Sequence, residues 1–142
     1  MDPEQLNTHV NDFALAIGLL VRRLRAASAS HDLSWTERAV LARLAREGPA
    51  TASELARAEY MKPQSMGATI AALEEAGLVE RRPHPTDGRQ VRVLLTEAGT
   101  AVCEQTRSAK RTWLAETIAQ LSDEERRTLF AAGELIQRLG EL

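Results

Sequence analysis

Apolar residues recur at steps of three and four along most of this chain, a spacing typical of α-helices that bury one face. The longest such segment runs from about Pro3 to Ala29 and predicts a first helix with one apolar stripe: Leu6, Val10, Phe13, Ile17, Leu20 and Leu24. The stripe has two interpretations. It packs against the core of its own chain, or it forms the seam of a dimer, since a helix this long can extend beyond a small core.

Capping boxes predict where three further helices begin. In each box a Ser or Thr is followed three residues later by Glu, whose side chain can reach back to the backbone N–H of the cap. The boxes are Ser34–Glu37, Thr51–Glu54 and Ser122–Glu125. Thr96 is another predicted N-cap. We therefore expect a fifth helix after it and, across a short link, an antiparallel sixth helix with the inward stripe Leu129, Ala132, Ile136 and Leu139.

The segment from Tyr60 to Leu95 has the most distinctive pattern. Pro63 fits the first position of a helix, where its missing N–H costs nothing, and Gly77 fits the position just past the helix end. One helix face is apolar, with Met66, Ile70 and Leu73. The opposite face is small or polar and suits contact with base edges in a major groove, through Gln64, Ser65, Ala68 and Thr69.

A helix-turn-helix followed by a β-hairpin is predicted around this segment. A short third helix containing Leu55 and a turn at Glu59–Met61 precede the Pro63 helix. After that helix, Leu78–Arg82 and Gln90–Leu95 have strand-like composition, and Asp87-Gly88 between them is typical of a tight hairpin turn. The expected fold class is mainly α with a small β-hairpin wing, a winged helix-turn-helix.

Three stretches of this sequence resemble one family. They are Leu73–Arg81 (LEEAGLVER), Asp87–Arg89 (DGR) and Leu95–Gly99 (LTEAG). Together with the long flanking helices they resemble the MarR family of bacterial transcription regulators, whose wing has an Asp-x-Arg element, and the similarity extends over nearly the whole chain. The resemblance implies one MarR-like unit over residues 1–142. Its dimerisation helices would be 1–30 and 96–142, and its DNA-binding region 34–95.

The resemblance also implies a homodimer that binds a pseudo-palindromic DNA duplex, most simply as a repressor. The Pro63 helix would enter the major groove and the wing the adjacent minor groove. Base contacts are expected from Gln64, Ser65 and Thr69, and phosphate contacts from Lys62, Arg81 and Arg82; Arg82 has the alternative of only covering a strand edge. Arg89 would reach the minor groove, its guanidinium held by the Asp87 carboxylate, unless Asp87-Gly88 merely makes the turn.

Relatives of this kind often bind small aromatic or phenolic anions in a crevice between the dimer helices and the winged helix. The residues expected there are Arg22, His31, Trp35, Arg38 and Trp113. For the two tryptophans the alternative is core packing. For Arg22 and the neighbouring arginines it is an ordinary solvated helix face.

Charge and composition leave a second function class open. The formal net charge is −2, which does not by itself favour DNA binding, although residues 78–92 have a local excess of two positive charges. A winged helix used only for protein–protein assembly is therefore the alternative. The single Cys103 and the lack of a long apolar run predict a cytoplasmic protein without a membrane segment.

Catalysis is not expected from this sequence. His9, His31 and His84 are far apart, no cluster has metal-ligand spacing, and no Gly-rich phosphate loop is present, so we expect neither an enzyme nor a cofactor. Cys103 is interpreted as a small, partly buried residue; a redox-sensing role is the alternative. His84, between two prolines, is interpreted as a solvated loop residue; contact with a phosphate is the alternative.

Overall fold

The computed structural model describes residues 1–28 and 32–142. These residues form the elements α1 (Pro3–Ala27), α2 (Trp35–Glu47), β1 (Ala50–Thr51), α3 (Ala52–Ala58), α4 (Pro63–Glu75), β2 (Val79–Pro83), β3 (Val91–Leu95), α5 (Glu97–Ile118) and α6 (Asp123–Gly140). The chain divides into two compact units. The first combines Met1–Ser28 with Ser108–Leu142, and the second is Ala29–Arg107, so α5 contributes to both.

In the second unit, α2 starts at the predicted capping box. The Ser34 hydroxyl accepts from the Glu37 N–H at 3.1 Å, and the Glu37 carboxylate accepts from the Ser34 N–H at 3.2 Å. The box at α3 differs in one bond: Thr51 accepts from the Glu54 N–H, but the Glu54 carboxylate accepts from the Thr51 hydroxyl. Both helices begin where the sequence predicts.

A side chain of α2 holds the turn between α3 and α4. Arg43 of α2 donates from Nε to the Glu59 carboxylate at 2.8 Å and also pairs with Glu47 at 3.1 Å. The hydrogen bond to Glu59 is the main cause that raises the pKa of Arg43. Because Glu59 is the C-cap of α3, this pair fixes the turn against α2.

The core of the second unit lies under α4. Its predicted apolar face is fully buried, with Met66, Ile70 and Leu73 each at 0% exposure. They pack with buried side chains of α2, α3 and the sheet: Val40, Leu41, Leu44, Leu55, Ala56, Leu78, Val79 and Val93. Burying this many aliphatic side chains is the main stabilisation of the unit.

Gly77 turns the chain from α4 into the sheet, as predicted. It has φ +77°, its N–H bonds to the Glu74 carbonyl, and the Leu78 N–H bonds to the Leu73 carbonyl. These two bonds define a Schellman motif, which needs a residue with positive φ at this position. The sheet has three antiparallel strands in the order β1-β3-β2. The two-residue β1 lacks a hydrophobic pattern and was missed by the sequence analysis.

The tip of the hairpin is a loop, and its Asp87-Gly88 pair does not form the tight turn of which that pair is typical. Residues 84–90 separate β2 from β3, and Gly88 does not have the positive φ that a type I′ turn requires. The loop is closed by the His84 N–H, which donates to the Gln90 carbonyl at 2.8 Å, and by the Gln90 N–H, which donates to the Asp87 carbonyl. Asp87-Gly88 therefore forms part of a longer loop.

The LTEAG stretch joins the wing to α5, and its contacts account for Thr at position 96 and Gly at position 99. The Thr96 hydroxyl accepts from the Gly99 N–H, as an N-cap does, and donates to the Gly77 carbonyl at 2.6 Å. Gly99 is buried, and a Cβ at this position would clash with the carbonyl oxygen of Leu78. Only glycine lets α5 lie this close to the backbone of the α4–β2 turn.

The first unit has a different character. No residue of α1 or α6 is buried, and several large apolar side chains are between a third and two thirds exposed, among them Leu6, Val10, Phe13, Leu129, Ile136 and Leu139. Asp2 and Ser122 cap the two helices. Arg126 ties α6 to the end of α5 through the carbonyls of Ile118 and Ala119. No helix in the described part of the chain is both long and apolar enough to cross a membrane.

Candidate nucleic-acid interface

The polar face of α4 is open to solvent. Gln64, Ser65 and Ala68 are exposed, while Thr69 is partly buried. The Thr69 hydroxyl donates to the Ser65 carbonyl one turn earlier, at 3.1 Å. Gln64 and Ser65 therefore keep their donors and acceptors for a partner, whereas Thr69 can offer its methyl group and the acceptor lone pairs of its hydroxyl oxygen.

The start of α4 is suited to an anion. Lys62 is the N-cap and is exposed, no side chain caps this end of the helix, and Pro63 occupies the first turn. Backbone N–H groups at a helix start carry partial positive charge, to which Lys62 adds a full one.

Two of the four arginines of the hairpin are engaged in ion pairs. Arg81 lies 3.4 Å from the Glu74 carboxylate of α4, and Arg82 lies 2.8 Å from Glu80 on its own strand. Such exposed pairs contribute little to stability and leave guanidinium N–H groups available for another anion. They also reduce the local positive excess that the sequence suggests.

The wing loop positions Arg89 through its backbone. The Asp87 Oδ1 atom accepts from the Arg89 N–H at 3.1 Å. The expected bond from Asp87 to the Arg89 guanidinium is wrong: within residues 32–142, no ion pair joins the two side chains. Carboxylates readily accept from the N–H two residues on, and this is the bond that the Asp87 Oδ1 atom makes. The Arg89 side chain is exposed and extends from an anchored backbone.

His84 organises the same loop, contrary to the prediction of a solvated side chain. It is the partly buried residue of 84–90, where its six neighbours are exposed. Its Nδ1 atom accepts from the Thr86 and Asp87 N–H groups, both at 3.2 Å, and the Thr86 hydroxyl lies at the same distance. A histidine between prolines gave no sequence signal for these bonds.

Two exposed residues near α4, Arg57 and Tyr60, were not singled out from the sequence. Arg57 lies exposed on α3, beside a cavity of about 360 Å³ lined by Thr51, Ala52, Ser53, Glu54, Gln90 and Val91. The helical spacing of Ser53 and Arg57, opposite the buried Leu55, was an available signal. Tyr60 is 98% exposed and has φ +54° in the turn before α4, a backbone conformation that L-residues rarely adopt.

The residues expected around a small ligand are distributed over both units. Arg22 and Trp113 belong to the first, where Trp113 is partly buried and the Arg23 guanidinium lies 5.8 Å from its ring centre. Trp35 and Arg38 belong to the second, where Trp35 is 57% exposed and Arg38 donates to the Leu33 carbonyl. His31 lies outside the described residues.

Cys103 has the environment of an unreactive thiol. It is partly buried, and its Sγ lies 3.5 Å from the Leu41 carbonyl. Burial raises the pKa of this thiol, so the protonated form dominates at neutral pH. Among residues 1–28 and 32–142, no His, Cys, Asp and Glu side chains form a group that could hold a metal ion.

Comparison with known proteins agrees with this architecture. The family model described as MarR family matches residues 33–91. An HTH-type transcriptional regulator of Mycobacterium tuberculosis is 40% identical over 129 residues, 91% of this chain and 90% of that protein. An HTH-type transcriptional repressor of the same species is 27% identical over 125 residues, covering 87% and 88% of the two chains.

Solved structures share the whole fold. The crystal structure of RV1404 from M. tuberculosis has a TM-score of 0.87 at 26% identity, over 99% of this chain and 97% of that one. A MepR mutant from S. aureus, bound to an oligodeoxyribonucleotide, has a TM-score of 0.70 at 19% identity, over 94% and 96%. With the helix-turn-helix, the wing and near full-length relatives named as transcription regulators, this chain belongs to the MarR family of transcription regulators.

Proposed function

We propose that this protein regulates transcription, as a repressor, by binding a pseudo-palindromic DNA duplex as a homodimer. The observation that carries the proposal is the division of α4 into two faces. One face is fully buried at Met66, Ile70 and Leu73, and the other presents Gln64 and Ser65 to solvent with their hydrogen-bonding groups available. The bound oligodeoxyribonucleotide of MepR, which has the same fold, supports the proposal.

Base recognition is assigned to the exposed face of α4. Gln64 can make a bidentate contact to adenine, and Ser65 can donate or accept. Thr69 contributes its methyl group to a thymine methyl, since its hydroxyl hydrogen is engaged with the Ser65 carbonyl. Pro63 sets the start of the helix and brings Gln64 to the end that enters the groove first.

Phosphate contacts are assigned to the cations around this helix. Lys62 at the start of α4 and Arg57 on α3 make no ion pair within the described part of the chain. Arg81 and Arg82 exchange part of their carboxylate pairing for phosphate when DNA is present. Arg89, at the wing, enters the adjacent minor groove, where the negative potential is highest if the groove is narrow.

Dimerisation is assigned to the terminal helices, residues 1–30 and 96–142, with residues 34–95 as the DNA-binding region. The support is the apolar stripe of α1 and α6, whose exposure reaches 45% at Phe13 and 61% at Leu139 in the single chain. Contiguous apolar surface of this kind marks protein–protein contact. Two-fold symmetry then places two copies of α4 to meet two half-sites.

Release from DNA is assigned to a small aromatic anion that would contact tryptophan and arginine side chains. Two tryptophans can stack on a ring, and arginines can pair with its charge. The repressor named among the relatives supports the direction of regulation. Thermodynamic reciprocity requires that the ligand weaken DNA affinity by the factor by which DNA weakens ligand affinity. Titration with benzoates and phenols, read by thermal shift and by DNA release, tests this assignment; failure of every compound refutes the effector class only.

The DNA-binding proposal is tested by fluorescence anisotropy with the duplex upstream of the protein's own gene. We expect saturable binding that is tighter than binding to a shuffled duplex of equal length, weakens as salt rises, and is less sequence-selective in Gln64→Ala. Equal affinity for both duplexes, or none for either, refutes it. The winged helix would then function in protein–protein assembly.

A further inference from the structure

The first residue of the wing loop, residues 84–90, makes hydrogen bonds that hold the loop. His84 is the partly buried side chain of the loop, and its Nδ1 atom accepts from the N–H groups two and three residues further on, at Thr86 and Asp87. This is the pattern in which Asn and Asp side chains nucleate turns through a side-chain oxygen. Here an imidazole nitrogen provides the acceptor.

Accepting at Nδ1 defines the protonation state of the ring. Nδ1 must present its lone pair, so the hydrogen of the neutral imidazole lies on Nε2. Protonation converts Nδ1 into a donor, which then faces two backbone N–H groups at 3.2 Å. Both backbone hydrogen bonds are lost in that state, like partial charges are brought together, and the Thr86 hydroxyl, 3.2 Å from Nδ1, is left as the acceptor.

Two consecutive hydrogen bonds, through Asp87, connect the His84 side chain with the Arg89 backbone. The Asp87 residue held by Nδ1 in turn accepts from the Arg89 N–H through its own side chain. The loop is closed at its base by the backbone bond from His84 to Gln90. The position of Arg89 relative to the strands therefore depends on the acceptor at residue 84.

We propose that His84 is the positioning residue of the wing, and that only its neutral form holds Arg89 where it contacts DNA. Acidification therefore loosens the wing and weakens DNA binding. This rests on the proposed function, in which the wing contacts a minor groove. The charged groups of the hairpin around His84 are Asp87 and Arg89 of the loop, Arg82 with its partner Glu80 on β2, and Arg92 on β3.

The direction of the pH effect discriminates between two roles. A histidine near DNA that only adds charge tightens binding when it is protonated, because it gains attraction to phosphate. The loop role predicts the opposite sign. Ordinary carboxylates stay ionised between pH 8 and pH 6, and the groups outside the wing are common to every variant, so differences between variants report on residue 84.

The experiment measures DNA affinity at pH 8 and pH 6, at constant ionic strength, for four proteins. The wild type should lose affinity on acidification, because a protonated ring no longer accepts at Nδ1. His84→Asn should bind well at both values, because the amide oxygen replaces Nδ1 and does not titrate. His84→Ala should bind weakly at both. His9 and His31 are common to every variant, so they cannot produce these differences.

Arg89→Ala, the fourth protein, separates the two levels of the proposal. If it binds DNA as well as the wild type, the wing does not contact DNA and that part of the proposed function fails. The claim about His84 is then decided without DNA, by the pH dependence of the Thr86 and Asp87 amide signals in NMR spectra of the wild type and His84→Asn. Wild-type binding that tightens at pH 6, or His84→Asn with the wild-type pH dependence, overturns the inference.

Discussion

The Arg89 N–H donates to the Asp87 Oδ1 atom at 3.1 Å, and the Arg89 side chain is exposed to solvent. The sequence predicts that Asp87 holds the guanidinium of Arg89, whereas in the structure Asp87 holds only the Arg89 backbone. The carboxylate fixes the backbone of Arg89, and the guanidinium is exposed. The negative charge of Asp87 is incidental to the anchoring, which needs only an oxygen acceptor.

Arg89→Ala should weaken operator binding by about 1–3 kcal/mol, because one cation is removed from a narrow groove. Thermal stability should not change, since the side chain is exposed. Arg46→Ala, which removes an exposed arginine from α2, is the matched control and should have little effect on affinity. Equal losses in the two variants would show that only net charge matters.

Asp87→Ala and Asp87→Asn should have different effects on the same measurement. The alanine variant loses the acceptor for the Arg89 N–H and should bind more weakly, although it removes a negative charge facing DNA. The asparagine variant keeps an oxygen acceptor and should bind at least as well as the wild type. Tighter binding by Asp87→Ala would mean that the acid is only repulsive.

Cys103 makes a prediction about pH and reactivity. Burial raises the pKa of its thiol in the folded state above the unfolded value, so the folded protein retains the proton longer. Its contribution to stability is complete below the ordinary thiol pKa and is lost as pH rises through the higher folded value. Alkylation of the native protein at pH 8 should be several-fold slower than in urea, and Cys103→Ala should flatten the loss of stability above about pH 8.5. Equal alkylation rates would contradict the buried, protonated thiol.

The helices and strands were predictable to the extent that their signals are local. Capping boxes and Pro63 predict four helix starts. The burial of Met66, Ile70 and Leu73 follows from the 3.6-residue period of a helix. The strand β1 was not predictable, because two residues have no period. The loop 84–90 was not predictable either, since its conformation depends on a histidine lone pair and not on its Asp-Gly pair.

The candidate site divides in the same way. The exposed face of α4 follows from its periodicity, but the ion pairs that engage Arg81 and Arg82 join residues whose proximity depends on the fold. The same holds for Arg43 and Glu59, which are 16 residues apart. Sequence patterns can identify the cations of the surface, but not which of them are already paired with a carboxylate.

The junction between α5 and the α4–β2 turn makes a prediction about Gly99. Gly99→Ala should lower the free energy of unfolding by about 1–3 kcal/mol, since the added methyl group meets the rigid carbonyl of Leu78. Gly67→Ala is the matched control: it lies within α4 with nothing inside 4 Å of its Cβ position. That variant should gain about 0.5–1 kcal/mol from helix propensity. Chemical denaturation of both variants gives the two signs; a neutral Gly99→Ala would show that α5 can move away.

The assembly of two chains makes a prediction about α1. If its apolar stripe is a dimer seam, the protein should sediment as a dimer with an interface above the usual ~1,600 Å². Deleting residues 1–16 should leave it unfolded or aggregated. Phe13→Glu should weaken the dimer, whereas Asn11→Glu, which adds the same charge off the stripe, should not. A folded, monodisperse monomer after the deletion would refute the assignment.

Selection of bound duplexes from a random DNA library tests the proposed regulator most directly, because it examines DNA binding, symmetry and spacing together. A dimer with one α4 per half-site should enrich an inverted repeat with its half-sites about one helical turn, roughly 10 base pairs, apart. Gln64→Ala should change the preferred base at one position in both halves. No enrichment over the starting library, or enrichment of a single unpaired half-site, would contradict a dimeric sequence-specific regulator.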